Sequence, residues 1–411
     1  MSFVDWFSWP ATLLLDLASG FPAFQSLPPI SQTFFVLYLL GFALSFIGTA
    51  GSRTIFHLTA LCLVLLAVGY ALTSTHSWVV FYVCWELIGF IGWGLARLSS
   101  EDVRAESEGP FNLVWALSSG TMLYAIFLSL EPGASVHSIS APVDAGSLAI
   151  FEGAVVMACV LRALGLCRAT WRIGDREKGG FHYGLGTVGS CVLPLAAIFP
   201  AARLLSLRVE PAQTTLLLEL ALALMIGLAI ATVAESDPSR LRSMALFGAC
   251  SASVIGIWAI GNSWIVPAVY GMALVVDSFA SSSLRLANIG RRDASTGDEA
   301  GWLTPDRLTA FLGGLALAGA PPFLSFLVRL QIIVDASQAL SIAWLAVLIV
   351  SLVLFSAAAL RQFSLKRIGW RLSPASWTLT TVGCVIALVL SVLLATEPLV
   401  ASTWLGQLRA G

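Results

Sequence analysis

Read in windows of about 18 to 24 residues, the chain divides into about twelve apolar stretches joined by short polar segments. They lie near 31–50, 55–74, 78–97, 111–130, 147–168, 182–204, 213–234, 243–261, 263–285, 305–326, 338–361 and 376–396. Each is long enough to cross a hydrocarbon core of about 30 Å as a helix. In lipid a backbone must satisfy its own N–H and C=O groups, so apolar runs of this length and number imply an all-α, polytopic membrane protein. Residues 4–27 are a weaker segment, interrupted by Pro10, Asp16 and Pro22, and read as an interfacial helix. The organisation expected is an interfacial segment over 1–30, one transmembrane domain over 31–396 and a tail over 397–411.

Charge placement tests the span count. With twelve spans, 17 of the 22 Lys and Arg residues fall in loops on one side, and Arg203, Arg208, Arg329 and Arg409 fall on the other. Arg162 is left inside a span. The positive-inside rule puts the crowded side in the cytoplasm and both termini outside, as in a multi-pass protein of the inner (cytoplasmic) membrane. A miscount by one span scrambles this asymmetry. No Lys or Arg precedes Arg53, so no basic signal-peptide region is expected.

Composition then excludes whole classes. Charged residues are 11% of the chain, against about 25% in a soluble domain, and mean hydropathy is +0.88. No basic block suggests nucleic acid. The seven cysteines show no CxxC spacing and the four histidines are scattered, so no metal site, haem attachment or disulfide framework is expected. No phosphate-binding glycine loop is present either. The chain supplies no ligand set for a haem or iron–sulfur centre, and no cofactor is expected.

Against this background the charges inside apolar runs stand out. Glu86 lies in the middle of the run Trp78–Leu95. A carboxylate at that depth costs several kcal/mol unless paired, hydrated or protonated, and its default reading is functional, with ion or proton movement first. A protonated Glu pinning two helices is the structural alternative. Arg162 could snorkel to the interface or face Glu86 as an intramembrane ion pair. Glu219 is close enough to the outer interface to be solvated. Asp277 sits among serines, with Ser281 on its face, and reads equally as a relay or as helix-packing glue. In the tenth span, Pro321 and Pro322 remove backbone donors inside an apolar segment and force a break. Such breaks are tolerated only in protein or beside a wet cavity, and in transporters they hold ions.

These segments together resemble the antiporter-like subunit family. It includes the large proton-pumping membrane subunits of respiratory complex I, Mrp sodium/proton antiporter subunits, membrane-bound hydrogenase subunits and the membrane partner of the Dab inorganic-carbon uptake system. Trp85-Glu86-Leu87 resembles the family's Trp-Glu. Arg162-Ala-Leu-Gly-Leu-Cys-Arg-Ala-Thr-Trp171, with Asp175 after it, resembles its first broken helix. Asp237-Pro-Ser-Arg-Leu-Arg-Ser-Met-Ala-Leu246 resembles its Asp-Ile-Lys-Arg segment, and Leu315-Ala-Leu-Ala-Gly-Ala-Pro-Pro-Phe323 its Leu-Ala-Gly-x-Pro-Pro. The resemblance covers about residues 55–365. It implies an inverted-repeat bundle with two discontinuous helices, acting in a multi-subunit complex beside a partner that does the chemistry. The subunit itself, NADH-quinone oxidoreductase-like only by association, would move protons and catalyse nothing.

By the same resemblance Glu86 is the carboxylate gate, Arg162 its counter-charge, Asp277 a central relay and Arg329 the charge at the second broken helix. The family's lysines are missing. Arg162 and Arg329 replace two of them, the central one falls near Ala280, and the chain's two lysines, Lys178 and Lys366, are both in loops. The histidine expected near Gly189 is also absent. Arginine stays charged in proteins, so these positions can bias neighbouring carboxylates but cannot pass a proton on. The family usually has about fourteen spans, so the resemblance implies that two N-terminal helices would be missing here, which would preserve the sidedness. Two rival readings stand beside proton translocation: a non-conducting scaffold subunit, and a stand-alone cation/proton antiporter. Coupling to inorganic-carbon uptake rather than to quinone reduction is left open.

Overall fold

A computed structural model of the protein describes residues 29–47, 55–98, 109–130, 138–139, 145–174, 194–207, 212–261, 266–276 and 305–361. The expected interfacial segment, the twelfth span, the tail and Asp277 lie outside the described residues. Among those described there is no strand. The helices are α1 (Pro29–Ile47), α2 (Ile55–Ser74), α3 (Trp78–Leu98), α4 (Gly109–Ser129), α5 (Ala145–Gly174), α6 (Leu195–Leu205), α7 (Leu216–Ala234), α8 (Pro238–Ile260), α9 (Val266–Val276), α10 (Pro305–Ala318), α11 (Leu324–Ala339) and α12 (Ile342–Arg361). Among them α4, α5, α7, α8 and α12 are each long and apolar enough to cross a membrane.

Burial separates the centre of the bundle from its rim. The apolar windows of α5 and α8 are 83% and 78% buried, whereas those of α4, α7 and α12 are 28% to 33% buried. α5 packs on α3, α4, α6, α7 and α8, and α8 also packs on α10, α11 and α12. Two central helices thus touch both halves of the molecule. The exposed side chains of the rim are large and apolar, among them Val83, Leu87, Phe127, Ile230 and Val353. That is the pattern of a surface solvated by lipid rather than water.

Helix directions follow the alternation read from the sequence. α7 and α12, the seventh and eleventh spans, run parallel and are tied at both ends. Near their starts Trp344 Nε1 donates to Glu219 Oε1 at 3.0 Å, and near their ends Arg361 donates to the Val233 carbonyl. Glu219, expected to be solvated, therefore holds an indole partner. α1 and α2 run antiparallel, with Ser31 Oγ donating to the Thr73 carbonyl at 3.1 Å.

One boundary differs from the sequence reading. The tenth span does not stop near 326. After the break it continues as α11 to Ala339, and α12 begins at Ile342. Arg329, Gln331 and Asp335 interrupt the apolar pattern, which made the span look shorter than it is. Arg329 therefore belongs to no outer loop; it is 8% exposed within α11. The stretch resembling the first broken helix is continuous as far as Gly174, and residues 175–193 lie outside the described residues.

Candidate functional site

α3 brings Glu86 to the bundle and α5 brings Arg162, and the two side chains meet. Arg162 Nη2 lies 3.3 Å from Glu86 Oε1 and 3.2 Å from Ser119 Oγ of α4, so one nitrogen serves two acceptors. Trp115 of α4 donates its indole N–H to Glu86 Oε2 at 3.0 Å. The guanidinium stacks over Trp85, 4.3 Å from the ring centroid. This close approach of α3 and α5 depends on Gly89, where a Cβ would fall 1.8 Å from Arg162 Nη1. Ser118 Oγ, bonded to the Ala158 carbonyl at 2.9 Å, fastens α4 to α5 beside the site.

The pair is asymmetric. The Arg162 side chain is 2% exposed and that of Glu86 31%. Arg162 Nε and Nη1 have no hydrogen-bond partner among the described residues, so the fork engages Glu86 by one prong. A bidentate arginine–carboxylate pair has two bonds near 2.7–2.9 Å; a single contact at 3.3 Å is a weaker tie. Glu86 borders an open groove of about 450 Å³ between α3 and α4, lined also by Phe90, Trp93, Asn112, Trp115 and Ser119. The titratable member of the pair thus faces the groove, and the permanently charged one is sealed behind it.

Arg329 is held differently. α10 ends in a Schellman motif: Gly319 adopts φ +67°, its N–H bonds the Ala316 carbonyl at 2.9 Å, and Ala320 N–H bonds the Leu315 carbonyl at 2.9 Å. Pro321 and Pro322 come next, so the break is made by the glycine and kept open by the prolines. Two terminal carbonyls remain. Arg329 Nη2 donates to Leu317 O at 2.6 Å and Nη1 to Ala318 O at 2.5 Å, while Nη1 also donates to Ser356 Oγ of α12. With Ser325 Oγ on Ala316 O at 2.7 Å, each of the last four carbonyls of α10 is satisfied. The cation also faces the negative end of the half-helix dipole. Arg329 is a cap.

The same device recurs. Arg203 donates to the Leu72 carbonyl at 2.8 Å near the end of α2, and Arg361 to the Val233 carbonyl at the end of α7. Arg162 is instead spent on a carboxylate.

Some polar groups escaped the sequence reading. Glu152 is 2% exposed on α5, ten residues or roughly 15 Å along the helix from Arg162. It lies in the apolar run Ile150-Phe-Glu-Gly-Ala-Val, the same signal that marked Glu86. Near the end of α11, Gln331 Nε2 donates to Asp335 Oδ1 at 2.5 Å, and Tyr270 of α9 lies 3.5 Å from Asp335 Oδ2. A cavity of about 10 Å³ bordered by Ser253, Tyr270, Ser325 and Arg329 separates this group from the break. It has room for a single water.

No protein-family model and no curated protein sequence matches the chain. Solved structures do. A chain of the Mrp complex from a Dietzia species superposes with a TM-score of 0.62 at 16% identity, covering 96% of this chain and 90% of that one. A chain of the membrane-bound sulfane sulfur reductase, an archaeal respiratory membrane complex, gives 0.60 at 14% identity, covering 89% and 79%. A chain of respiratory complex I from Thermus thermophilus gives 0.55 at 16% identity, covering 89% and 81%. At these identities the likeness is one of fold, and the protein carries the fold of the antiporter-like membrane subunits.

Proposed function

We propose that this chain is a proton-translocating, antiporter-like subunit of a multi-subunit membrane assembly related to complex I or to Dab-type inorganic-carbon uptake. It sits in the inner membrane with both termini outward, and a partner subunit supplies the driving chemistry. The observation that carries the reading is the one-pronged Glu86–Arg162 pair, with its carboxylate at the edge of a groove. Arg162 stays charged, so Glu86 is the member able to carry a proton. Ionised, Glu86 is attracted to the guanidinium; protonated, it loses that attraction. Ser119 already shares Nη2 and can keep it when Glu86 lets go. Proton uptake and opening of the pair are then one event, which is what a gate requires. Asp277, in the segment after α9, is the proposed central relay. Arg329 contributes a fixed positive charge at the second break.

The test is Glu86→Gln in the intact assembly, reconstituted in liposomes with a pH-sensitive dye inside. Proton translocation should fall at least tenfold, a barrier change of about 1.4 kcal/mol or more, while the assembly purifies with all its subunits. A Glu86→Gln variant that translocates like wild type removes the gate, and the scaffold reading replaces it. The use of Arg329 as a cap favours that second reading, since a cap needs no proton traffic.

A further inference from the structure

One turn of α4 faces the pair. Trp115, Ser118 and Ser119 are spaced i, i+3 and i+4, which puts them on one side of the helix. Trp115 Nε1 donates to Glu86 Oε2 at 3.0 Å, Ser118 Oγ ties the turn to the Ala158 carbonyl of α5 at 2.9 Å, and Ser119 Oγ accepts from Arg162 Nη2 at 3.2 Å. The two oxygens of Glu86 are therefore held by different donors, Oε1 by Arg162 and Oε2 by the indole. The indole contact has the ordinary length of an N–H···O bond, and the guanidinium contact, at 3.3 Å, is longer. Gly89 makes room for the indole: a Cβ there would fall 2.8 Å from Trp115 Nε1. The ring also leans on Phe90, with centroids 6.3 Å apart. Among the described residues, the titratable and charged neighbours of Glu86 are Tyr82 on its own helix and Arg162 of α5.

Donor and acceptor chemistry makes this arrangement selective. An ionised carboxylate accepts at both oxygens, so it serves both donors at once. A protonated carboxyl has one hydroxyl and one carbonyl oxygen, and the carbonyl is the better acceptor. Only one of the two donors then keeps a good partner. Nη2 of Arg162 already has a second acceptor in Ser119, so it is the donor that lets go. The indole N–H only donates, and it holds whichever oxygen stays an acceptor.

We propose that Trp115 is a positioning residue: its N–H keeps Oε2 as the carbonyl, so the proton taken up by Glu86 sits on Oε1, the oxygen that faces Arg162. One O–H bond forms at Oε1, from a proton delivered through the groove, and no other covalent bond is made or broken. Nη2 then meets a hydroxyl in place of a carboxylate oxygen and passes to Ser119. Protonation at Oε2 would leave Oε1 a carbonyl that still accepts from the guanidinium, and the pair would stay closed. Trp115 thus ties protonation to opening. This role rests on the gate reading and adds the atom at which the gate is worked.

Glu86→Gln supplies a fixed copy of the protonated state, with one carbonyl oxygen and one amide nitrogen that only donates. Full-length protein carrying isotope-labelled tryptophan, in lipid nanodiscs, gives an indole N–H NMR signal for each of its 14 tryptophans. The Trp115 signal is the one lost in Trp115→Phe, or in Trp115→Leu if the first does not fold. In Glu86→Gln that signal should keep the shift of a hydrogen-bonded indole. Its move to the free-indole position overturns the proposal, because the amide oxygen has then gone to Arg162. In the intact assembly Trp115→Phe, which keeps a ring against Phe90, should lower proton translocation about tenfold at near-normal thermal stability. Wild-type translocation in Trp115→Phe beside an inactive Glu86→Gln overturns the role of Trp115 and leaves the gate standing. Wild-type translocation in Glu86→Gln removes the gate, and the role of Trp115 with it.

Discussion

Arg162 and Arg329, which the sequence resemblance sets where the family carries lysine, are both buried, at 2% and 8% exposure. Their surroundings differ in kind. Arg162 meets a carboxylate by one prong and leaves two of its N–H-bearing nitrogens unused among the described residues. Arg329 uses both prongs on the backbone carbonyls left over at the end of α10. One arginine faces a carboxylate; the other closes the end of a helix. A buried arginine thus has two uses in one chain. At the break it improves a cap, because a planar fork spans two carbonyls where a point charge serves them less well. At the pair it sets a permanent charge against Glu86.

Deleting each side chain should separate these roles most widely. Arg329→Leu strands two buried carbonyls, at about 1–3 kcal/mol each. The variant should accumulate poorly and lose most of its thermal stability in detergent. Arg162→Leu leaves a half-buried Glu86 that can protonate, so the fold should persist with a modest loss of stability while translocation stops. Equal loss of folded protein in both variants would erase the distinction. Lysine replacements sharpen it: Arg329→Lys should cost about 1–2 kcal/mol in thermal unfolding, and Arg162→Lys should keep both fold and translocation.

Glycines provide a subtler pair. Gly89→Ala places a Cβ 1.8 Å from Arg162 Nη1, and Gly319→Ala places one 2.5 Å from Arg329 Nε at a backbone φ of +67°. The first should push the guanidinium off Glu86 and reduce translocation several-fold at near-normal stability. The second adds backbone strain of about 1 kcal/mol or more to the clash, and should appear in a melting curve. A Gly89→Ala protein with wild-type transport would show that contact between Glu86 and Arg162 is not needed.

How far the sequence carries depends on what each residue interrupts. Glu86 and Arg162 were visible because each breaks a long apolar run, and a charge in lipid needs a partner. Their meeting was one of two open readings for Arg162; helix rotation, which brings α3 against α5 through Gly89, decided it. Trp115 and Ser119 carry no such signal, since an indole or hydroxyl in a span is ordinary until its face is known. Glu152 had the signal of Glu86 and was missed. Around the second break, Arg329, Gln331 and Asp335 interrupt one helix closely enough to imitate a loop. The prolines were legible, but the glycine that ends α10 and the arginine that caps it depend on φ and on a contact across the break.

The smallest expected effect comes from a third pair, with the geometry of the first in a different medium. Arg240 Nη1 lies 3.3 Å from Glu235 Oε2, the same separation as in the membrane pair, but Arg240 is 46% exposed. Glu235 follows α7, outside the span. Burial pushes its carboxyl upward, yet the N–H groups of Asp237 and Ser236 and the Arg240 guanidinium outweigh burial and hold it below the usual range. A depressed folded-state value means the stabilisation is present above the unfolded value of about 4.3 and is lost as pH falls through the lower folded one. Glu235→Gln should therefore flatten the acid limb of the stability profile. At neutral pH it should cost only a few tenths of a kcal/mol, because exposed pairs are screened and entropically opposed. Translocation should stay within about twofold of wild type, where Glu86→Gln is expected to lower it at least tenfold. If Glu235→Gln also stops translocation, distance and charge alone would account for the pair at Glu86, and its depth in the membrane would cease to be the reason it matters.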